Sequence, residues 1–206
     1  MATSGFSEFE KISDLAFVHM RATESPNIAA GRVVLFNGPP SSGKTSLVEA
    51  LQRQLAAPWF HLSLDDFRSG ISPRWWLEDN GTLFERLMGG YLRSLRETGL
   101  SGIDVLAEAV ITPARRREYQ AIFIDLPIVL IGVTCPVEVA REREEGRIDR
   151  RRGPIALGAE EFAAVHAGLA YDYEVSTTTG DPAQLALELA AKLDGLNPSS
   201  FKRHLR

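Results

Sequence analysis

Residues 38–45 read Gly-Pro-Pro-Ser-Ser-Gly-Lys-Thr, with an apolar β-branched run before them and a helical pattern after them. Glycine at each end of such a loop lets the backbone turn tightly and point consecutive N–H groups at phosphate oxygens. The pattern predicts a strand, a phosphate-binding loop and a helix, in that order. The alternative is a glycine-rich turn without a ligand. The residues assigned to nucleotide binding are Gly38, Pro39, Pro40, Ser41, Ser42, Gly43, Lys44, Thr45 and Ser46.

The two residues that close the loop carry its charge and its metal-binding oxygen. Lys44 offers a compact positive charge to the β- and γ-phosphates of ATP. The hydroxyl of Thr45 is placed to bind Mg²⁺ at a helix N-terminus, where the helix dipole favours anions. The sequence therefore predicts ATP and Mg²⁺ as cofactors, with Lys44 in catalysis and Thr45 in the metal site.

Length and composition favour one α/β domain in the cytoplasm. With 206 residues, of which 44% are hydrophobic, the chain can bury a sizeable core. The net charge of −4 gives no general reason to bind nucleic acid or an anionic membrane. No apolar stretch approaches the roughly 18 residues that span a bilayer, and no secretory segment is expected. The single cysteine, Cys135, fits a reducing compartment. A homo-oligomer remains compatible with the sequence.

Strand-like runs alternate with helical patterns, which indicates a parallel sheet with helices on both faces. One helix is predicted over residues 46–56. A longer helix is predicted from an apolar stripe between Leu83 and Leu95, whose members recur at i, i+1, i+4 and i+5. The predicted fold class is a P-loop NTPase-type α/β domain with five strands, at 33–36, 60–64, 103–106, 128–133 and 173–176.

Acidic residues near the ends of predicted strands are candidates for chemistry, because open parallel sheets bind ligands at the carboxyl ends of their strands. We expect Asp65 to accept the proton of an attacking hydroxyl as a general base, or to help hold Mg²⁺. Asp66 is expected to cap the helix that starts near Phe67. In the metal site, Glu108 is favoured over Asp104, because Asp104 falls inside an apolar run.

The charged run at 141–153 follows the fourth predicted strand. Most such runs are solvated helices with i, i+4 ion pairs. At this position, however, small-molecule kinases of this fold class carry a lid whose arginines stabilise the transferring phosphoryl group. Arg143, Arg147 and Arg150 would share one helical face. The sequence predicts a small Arg-rich lid at about 141–158, in which at least one of these arginines reaches ATP, and it leaves open which one.

Beyond the phosphate loop, several short motifs follow in order between about Val33 and Leu193. They are Pro58-Trp59, Leu64-Asp65, Gly132-Val133-Thr134-Cys135, Gly146-Arg147-Ile148-Asp149-Arg150, Val165-His166 and Tyr171-Asp172-Tyr173-Glu174-Val175-Ser176-Thr177-Thr178. The set resembles the chloramphenicol phosphotransferase family. The resemblance implies a fold like that of shikimate and nucleoside-monophosphate kinases, and phosphorylation of a primary hydroxyl of an antibiotic with ATP and Mg²⁺. It also implies Asp65 as the base, Lys44 and Thr45 at the phosphates and metal, and Arg143 and Arg147 in the lid.

Two segments depart from the pattern of that family. Ala107-Glu108 stands where the family typically has paired aspartates after its third strand. The segment 69–81, with Trp75 and Trp76, does not follow the family's pattern. The two tryptophans either stack on a ring of the acceptor or pack as structural residues. Few carboxylates cluster there, which argues against a polycationic acceptor.

The predicted organisation is an N-terminal extension at 1–28, a P-loop kinase domain at 29–195 and a C-terminal tail at 196–206, whose basic end is expected to be solvated. Thr177 and Thr178, after the last predicted strand, are expected to border the adenine.

The leading hypothesis is an ATP-dependent O-phosphotransferase that acts on a small hydroxyl compound, such as chloramphenicol. One alternative keeps this chemistry but uses a metabolic sugar acid or nucleoside as the acceptor. The other is a nucleotide-binding regulatory module that transfers no phosphate. His166, within a helical pattern, is expected to have a structural hydrogen bond rather than a catalytic role.

Overall fold

The computed structural model describes residues 29–78, 81–146 and 158–206. Within them, five parallel strands form one sheet of order β2-β3-β1-β4-β5, so that the strand before the phosphate loop lies at the centre. The predicted five-stranded α/β fold is confirmed. The strands are β1 (Val33–Asn37), β2 (Phe60–Leu62), β3 (Val105–Ala109), β4 (Ile128–Thr134) and β5 (Tyr173–Ser176).

Helices cover both faces of the sheet. They are α1 (Lys44–Gln54), α2 (Leu64–Ser69), α3 (Pro73–Glu78), α4 (Thr82–Leu100), α5 (Arg116–Ile122), α6 (Val137–Glu145), α7 (Ala159–Ala164) and α8 (Pro182–Leu193). Short 3₁₀ turns lie at Pro113–Arg115 and Phe201–His204. In the described part of the chain, no helix combines the length and the apolar character needed to cross a membrane.

Each face of the sheet has its own hydrophobic core, because successive side chains of a strand point to opposite faces. On one face, α4 packs Met88, Tyr91, Leu92 and Leu95 against the strands, which confirms the predicted helical stripe. On the other face, α1 and α8 pack against Val34, Phe36 and Leu106. All five residues of β1 are fully buried, so the strand that leads to the phosphate loop is held from both sides.

Four strands differ from the prediction in their boundaries: β1 and β4 each end one residue later, and β2 and β3 differ by two residues or more. β2 ends at Leu62 rather than at residue 64, because the side chain of Ser63 caps α2 and starts the helix. β3 begins at Val105 rather than at 103, since a turn with a positive φ at Gly102 precedes it. β3 also continues past the predicted end at 106 to Ala109, which places Glu108 inside the strand and close to its carboxyl end.

The prediction of a solvated basic end is wrong for His204, which is buried, and Phe201 just before this end is buried as well. The ring of Phe201 stacks on Tyr119, with centroids 5.8 Å apart. His204 Nδ1 lies 2.9 Å from the carbonyl oxygen of Ala170. The chain end is therefore anchored by an aromatic contact that charge and length alone do not reveal. The predicted extension at 1–28 lies outside the described residues.

Candidate active site

The phosphate loop needs glycine at both ends for two different reasons. A Cβ on Gly38 would lie 2.4 Å from the carbonyl oxygen of Val133, so the loop leaves β1 pressed against β4. Gly43 precedes α1 with φ +88°, in the left-handed region that favours glycine. Ser41 also has a positive φ, of 59°. Such a backbone turns its amides toward one side, as an anion-binding loop requires.

Lys44 is nearly buried, with 8% of its surface exposed, at the first position of α1. Its ammonium group donates to the carbonyl oxygens of Gly38 and Pro39, each at 2.9 Å. These bonds hold a positive charge across the loop, at the N-terminus of a helix whose dipole favours anions. The structure thus places the Lys44 ammonium group inside the loop, at the start of α1.

Thr45, Glu108 and His61 form a connected group between α1, β3 and β2. The Thr45 hydroxyl donates to Glu108 Oε2 at 2.8 Å, and His61 Nε2 lies 3.0 Å from Glu108 Oε1. The side chains of His61 and Glu108 are only 16% and 11% exposed. The two residues that the sequence assigned to the metal site are therefore in direct contact. His61 was missed, although a polar residue between two apolar strand residues is a usable signal.

The oxygen donors of this group fit Mg²⁺, which prefers carboxylate and hydroxyl ligands and keeps its other positions for water and substrate phosphates. Among the described residues, no group of three or more His, Cys, Asp or Glu side chains could enclose a metal by itself. A cation bound by Thr45 and Glu108 would thus depend on the nucleotide for further ligands.

Asp65 and Asp66 lie in the first turn of α2, at the carboxyl edge of the sheet. The expected capping role of Asp66 is wrong, because Ser63 is the cap and accepts a hydrogen bond from the Asp66 N–H. Asp66 instead accepts from the Ser63 hydroxyl at 2.7 Å. The Asp65 carboxylate is 45% exposed and lies 3.5 Å from Arg68 Nη1. Asp65 is therefore accessible to a substrate.

Asp104 lies at the other end of β3 from Glu108. Its carboxylate accepts a hydrogen bond of 2.7 Å from the backbone N–H of Arg32. This contact satisfies the carboxylate at the amino edge of the sheet, away from the phosphate loop. The preference for Glu108 over Asp104 in the site agrees with these positions.

Two arginine–tryptophan contacts lie on α2 and α3. Arg68 stacks on Trp76, with its guanidinium carbon 5.2 Å from the ring centroid, and Arg74 stacks on Trp75 at 4.6 Å. Trp75 is 48% exposed, whereas Trp76 is partly buried. Arg68 thus links Trp76 to Asp65. The sequence did not indicate Arg68, because its partners come from two separate helices.

A cavity lies beside the loop, between α6 and the segment after β5. Arg143 on α6 donates to the hydroxyl and to the carbonyl oxygen of Thr177. The Thr177 hydroxyl in turn donates to the carbonyl of Ser42 at 2.6 Å. Together with neighbouring residues they line a cavity of about 320 Å³, whose walls include Ser41, Gly43, Ser46, Arg143, Thr177 and Pro182.

The remaining residues assigned to nucleotide binding have different positions. Thr178 is exposed and bonds Ser176 rather than lining this cavity. Arg147 and most of the predicted lid lie outside the described residues. Glu144, next to Arg143 on α6, accepts a short hydrogen bond from the Ser41 hydroxyl of the phosphate loop. The end of α6 therefore contacts the phosphate loop and the segment after β5 through two adjacent residues.

A buried hydrogen-bond network lies at the end of β1. The side chain of Asn37 donates to the Tyr171 hydroxyl at 2.7 Å and to the carbonyl of Val165, and accepts from the N–H of Ile111. The Tyr171 hydroxyl lies 2.7 Å from His166 Nδ1. Burial lowers the pKa of His166; Glu174 acts against this shift, and nearby Lys44 adds to it. These contacts agree with a structural role for His166.

Fold and site together define the class of this protein. A parallel sheet whose central strand leads through a phosphate loop into a helix is the architecture of P-loop kinases. The chain belongs to the chloramphenicol phosphotransferase-like protein family, whose sequence model matches residues 31–194. It is therefore a small-molecule phosphotransferase of the P-loop kinase type. The resemblance recognised in the sequence is confirmed.

Similar proteins agree with this assignment. Two proteins of Mycobacterium tuberculosis, from strains CDC 1551 and H37Rv, each named a putative O-phosphotransferase, are 28% identical over 184 residues, which cover 77% of this chain and 80% of theirs. Among solved structures, shikimate kinase from Acinetobacter baumannii in complex with shikimate has a TM-score of 0.56 at 19% identity, with 81% of this chain and 94% of that chain covered.

Two further solved structures share the fold. A sugar kinase from Janibacter sp. HTCC2649 has a TM-score of 0.58 at 19% identity and covers 80% of this chain and 95% of its own. The tunicamycin resistance protein of Deinococcus radiodurans has a TM-score of 0.55 at 20% identity, with 82% and 98% covered. At such identities the likeness concerns the fold alone.

Proposed function

We propose that this protein transfers the γ-phosphoryl group of ATP to a hydroxyl of a small antibiotic such as chloramphenicol. The observation that carries the proposal is the contact of Thr45 with Glu108 beside the loop that holds Lys44, at the same edge of the sheet as Asp65. Phosphoryl transfer requires little covalent chemistry from the protein, and positioning with charge stabilisation supplies most of the catalysis. In this proposal, Lys44 supplies the charge stabilisation, and Asp65 and the Thr45–Glu108 pair supply the positioning.

In this proposal, the loop from Gly38 to Ser46 binds the triphosphate with its amides. The Lys44 ammonium turns from its two loop carbonyls to the β- and γ-phosphates. Thr45 and Glu108 would hold Mg²⁺, and the bound ion would neutralise charge on the phosphates. Arg143 and Thr177 border the nucleotide in the cavity beside the loop.

Asp65 is proposed as the general base for the acceptor hydroxyl. It stands at the carboxyl edge of β2, separated from β1 by β3, which carries Glu108. Its carboxylate accepts the proton as the hydroxyl oxygen attacks phosphorus. The predicted lid at about 141–158, with Arg147, is proposed to exclude water, so that hydrolysis does not compete with transfer.

The antibiotic acceptor is supported by the family of the chain and by its exposed aromatic surface. Trp75 presents about half of its surface to solvent on α3, close in sequence to the proposed base. An indole ring suits a neutral aromatic or sugar-like acceptor, since it offers apolar area and a specific stacking geometry.

An acceptor screen tests this proposal directly. The protein is incubated with ATP, Mg²⁺ and panels of antibiotics, sugar acids and nucleosides, and mass spectrometry detects the gain of one phosphoryl group. Phosphorylation of an antibiotic supports the proposal. Phosphorylation of a sugar acid or nucleoside instead would assign a metabolic acceptor. Nucleotide binding without any transfer would favour a regulatory module.

Replacing the base provides a second test. Asp65→Asn should lower kcat by about 10²- to 10⁴-fold, because the amide cannot accept the proton. The affinity for ATP should stay nearly unchanged. Asp66→Asn is the matched control, since Asp66 lies next in sequence but bonds Ser63 within the helix start. Full activity of Asp65→Asn would remove Asp65 from the mechanism.

A further inference from the structure

The carboxylate of Glu108 has a different partner on each of its oxygens. Oε2 accepts from the Thr45 hydroxyl at 2.8 Å, and Oε1 lies 3.0 Å from His61 Nε2. An ionised carboxylate has no proton to donate, so the imidazole N–H is the donor in the second contact. The imidazole thus holds the oxygen that Thr45 does not use.

The strand geometry explains why these side chains meet. β2 and β3 are parallel, with His61 opposite Leu106 in the register. Glu108 lies two residues beyond Leu106, so its side chain points to the same face of the sheet. Both side chains are largely buried on the face covered by α1, which carries Thr45.

The opposite face fixes the backbone of the same two strands. The Tyr91 hydroxyl, fully buried on α4, donates to the Glu108 carbonyl oxygen at 2.6 Å and lies 3.2 Å from that of Leu62. Tyr91 therefore holds the backbone of the two strands from the α4 side of the sheet, while the side chains of His61 and Glu108 bond to each other on the α1 side. This arrangement restricts the rotation of the Glu108 carboxylate.

We infer that His61 is a positioning residue that selects the cation. This inference rests on the proposed function, in which Glu108 and Thr45 hold Mg²⁺. By holding Oε1, His61 leaves Oε2 as the oxygen that Glu108 offers on the Thr45 side. Ca²⁺ takes six to eight oxygens, often both oxygens of one carboxylate, whereas Mg²⁺ takes single oxygens in an octahedron and retains water. A carboxylate held at one oxygen therefore favours Mg²⁺ over Ca²⁺.

The test compares two amide substitutions of the same residue. In His61→Gln the amide nitrogen lies near the position of Nε2 and still donates to Glu108. In His61→Asn the side chain is one methylene shorter, so its amide does not reach Glu108. The probe is Mn²⁺ bound together with a non-hydrolysable ATP analogue, detected by electron paramagnetic resonance. Titration with Mg²⁺ and then with Ca²⁺ displaces Mn²⁺ and gives the affinity for each ion.

His61→Asn should weaken Mn²⁺ and Mg²⁺ binding by about 10- to 100-fold, the usual effect of losing a residue that orients a metal ligand. It should also reduce the preference for Mg²⁺ over Ca²⁺, while His61→Gln stays close to wild type in both respects. Equal behaviour of the two variants, or wild-type affinity and selectivity in His61→Asn, would overturn the inference.

Two controls separate this inference from the proposed function. Binding of the analogue in the presence of a chelator should be the same in all three proteins, because His61 does not touch the phosphate loop. If wild-type protein binds the analogue but no divalent cation, the proposed metal site is wrong, and the role of His61 falls with it. If the wild type binds the cation and His61→Asn does so equally well, only the role of His61 is wrong. Thermal unfolding verifies that each variant is folded, and should His61→Asn not fold, loss of cation binding by His61→Gln would itself contradict the inference.

Discussion

The proposed nucleotide side and the proposed acceptor side of this site are built differently. The nucleotide side consists of the phosphate loop, Arg143 and Thr177, and its main groups are nearly buried, as Lys44 and Thr177 are at 8% and 7% exposure. The acceptor side consists of α2 and α3, where Asp65 and Trp75 expose about half of their side chains. Buried backbone fixes the first side, and exposed side chains form the second.

This difference follows from what each side has to recognise. A triphosphate is the same in every kinase, so backbone amides and one buried cation bind it with little variation. Acceptors differ between enzymes, and a surface of side chains on short helices changes without disturbing the core. Substitutions on the two sides should therefore affect the two substrates separately.

The largest separation is expected from Arg143→Ala, with Arg141→Ala as its control on the same helix. Hydrogen bonds to charged groups contribute about 1.5–3 kcal/mol, so kcat/KM for ATP should fall by roughly 10- to 100-fold. Arg141 is exposed and should tolerate alanine. Steady-state kinetics with each substrate varied in turn provides the measurement. A change confined to the acceptor KM would contradict the assignment of Arg143 to the nucleotide side.

A smaller effect, on the acceptor instead of on ATP, is expected from Trp75→Leu. If its exposed indole stacks on the acceptor, the acceptor KM should rise by about two- to tenfold while the ATP KM stays constant.

Trp76→Leu sharpens this test, because Trp76 holds Arg68. It should lower the free energy of unfolding by about 0.5–2 kcal/mol, the range of a cation–π contact. Chemical denaturation and kinetics of both variants distinguish recognition from packing.

The smallest expected effect concerns pH and His166, which belongs to neither side. Because burial lowers its pKa, the folded chain takes up this proton less readily than the unfolded chain. The free energy of unfolding therefore has its full value, as far as His166 is concerned, above the unfolded-state pKa of about 6.5, and it declines as the pH falls below that pKa. His166→Gln should reduce the decline in unfolding free energy between about pH 7.5 and 5.5. An identical decline in both proteins would show that His166 does not contribute.

The sequence predicted the elements around the phosphate loop better than the contacts of α2 and α3, for a physical reason. The loop, Lys44 and Thr45 are contiguous, and their spacing alone fixes a strand, a turn and a helix. The sequence named Thr45 and Glu108 as metal-site candidates, Glu108 from the rule that ligands bind at the carboxyl ends of parallel strands, but it did not predict the hydrogen bond between them.

Two of the missed features depend on contacts between different elements, and a third is local. His61 reaches Glu108 across two strands, and Arg68 joins Trp76 of another helix, so neither pairing is visible in local spacing. Ser63 took the capping position expected for Asp66, because the helix starts earlier than its apolar pattern suggests. Competition between adjacent polar residues for one cap is decided by the position of the strand end. The domain boundaries remain predictions.

The buried network at the end of β1 also has a consequence for chemical ageing. Asn37 precedes Gly38, and asparagine followed by glycine closes most readily to a cyclic imide, because glycine has no Cβ to obstruct the ring. Hydrolysis of that imide leaves aspartate or isoaspartate, which has no side-chain N–H to offer Val165 and Tyr171. In the folded chain all three hydrogen bonds restrain the Asn37 amide. Folding therefore protects the entrance of the phosphate loop from deamidation, and time spent unfolded would expose it.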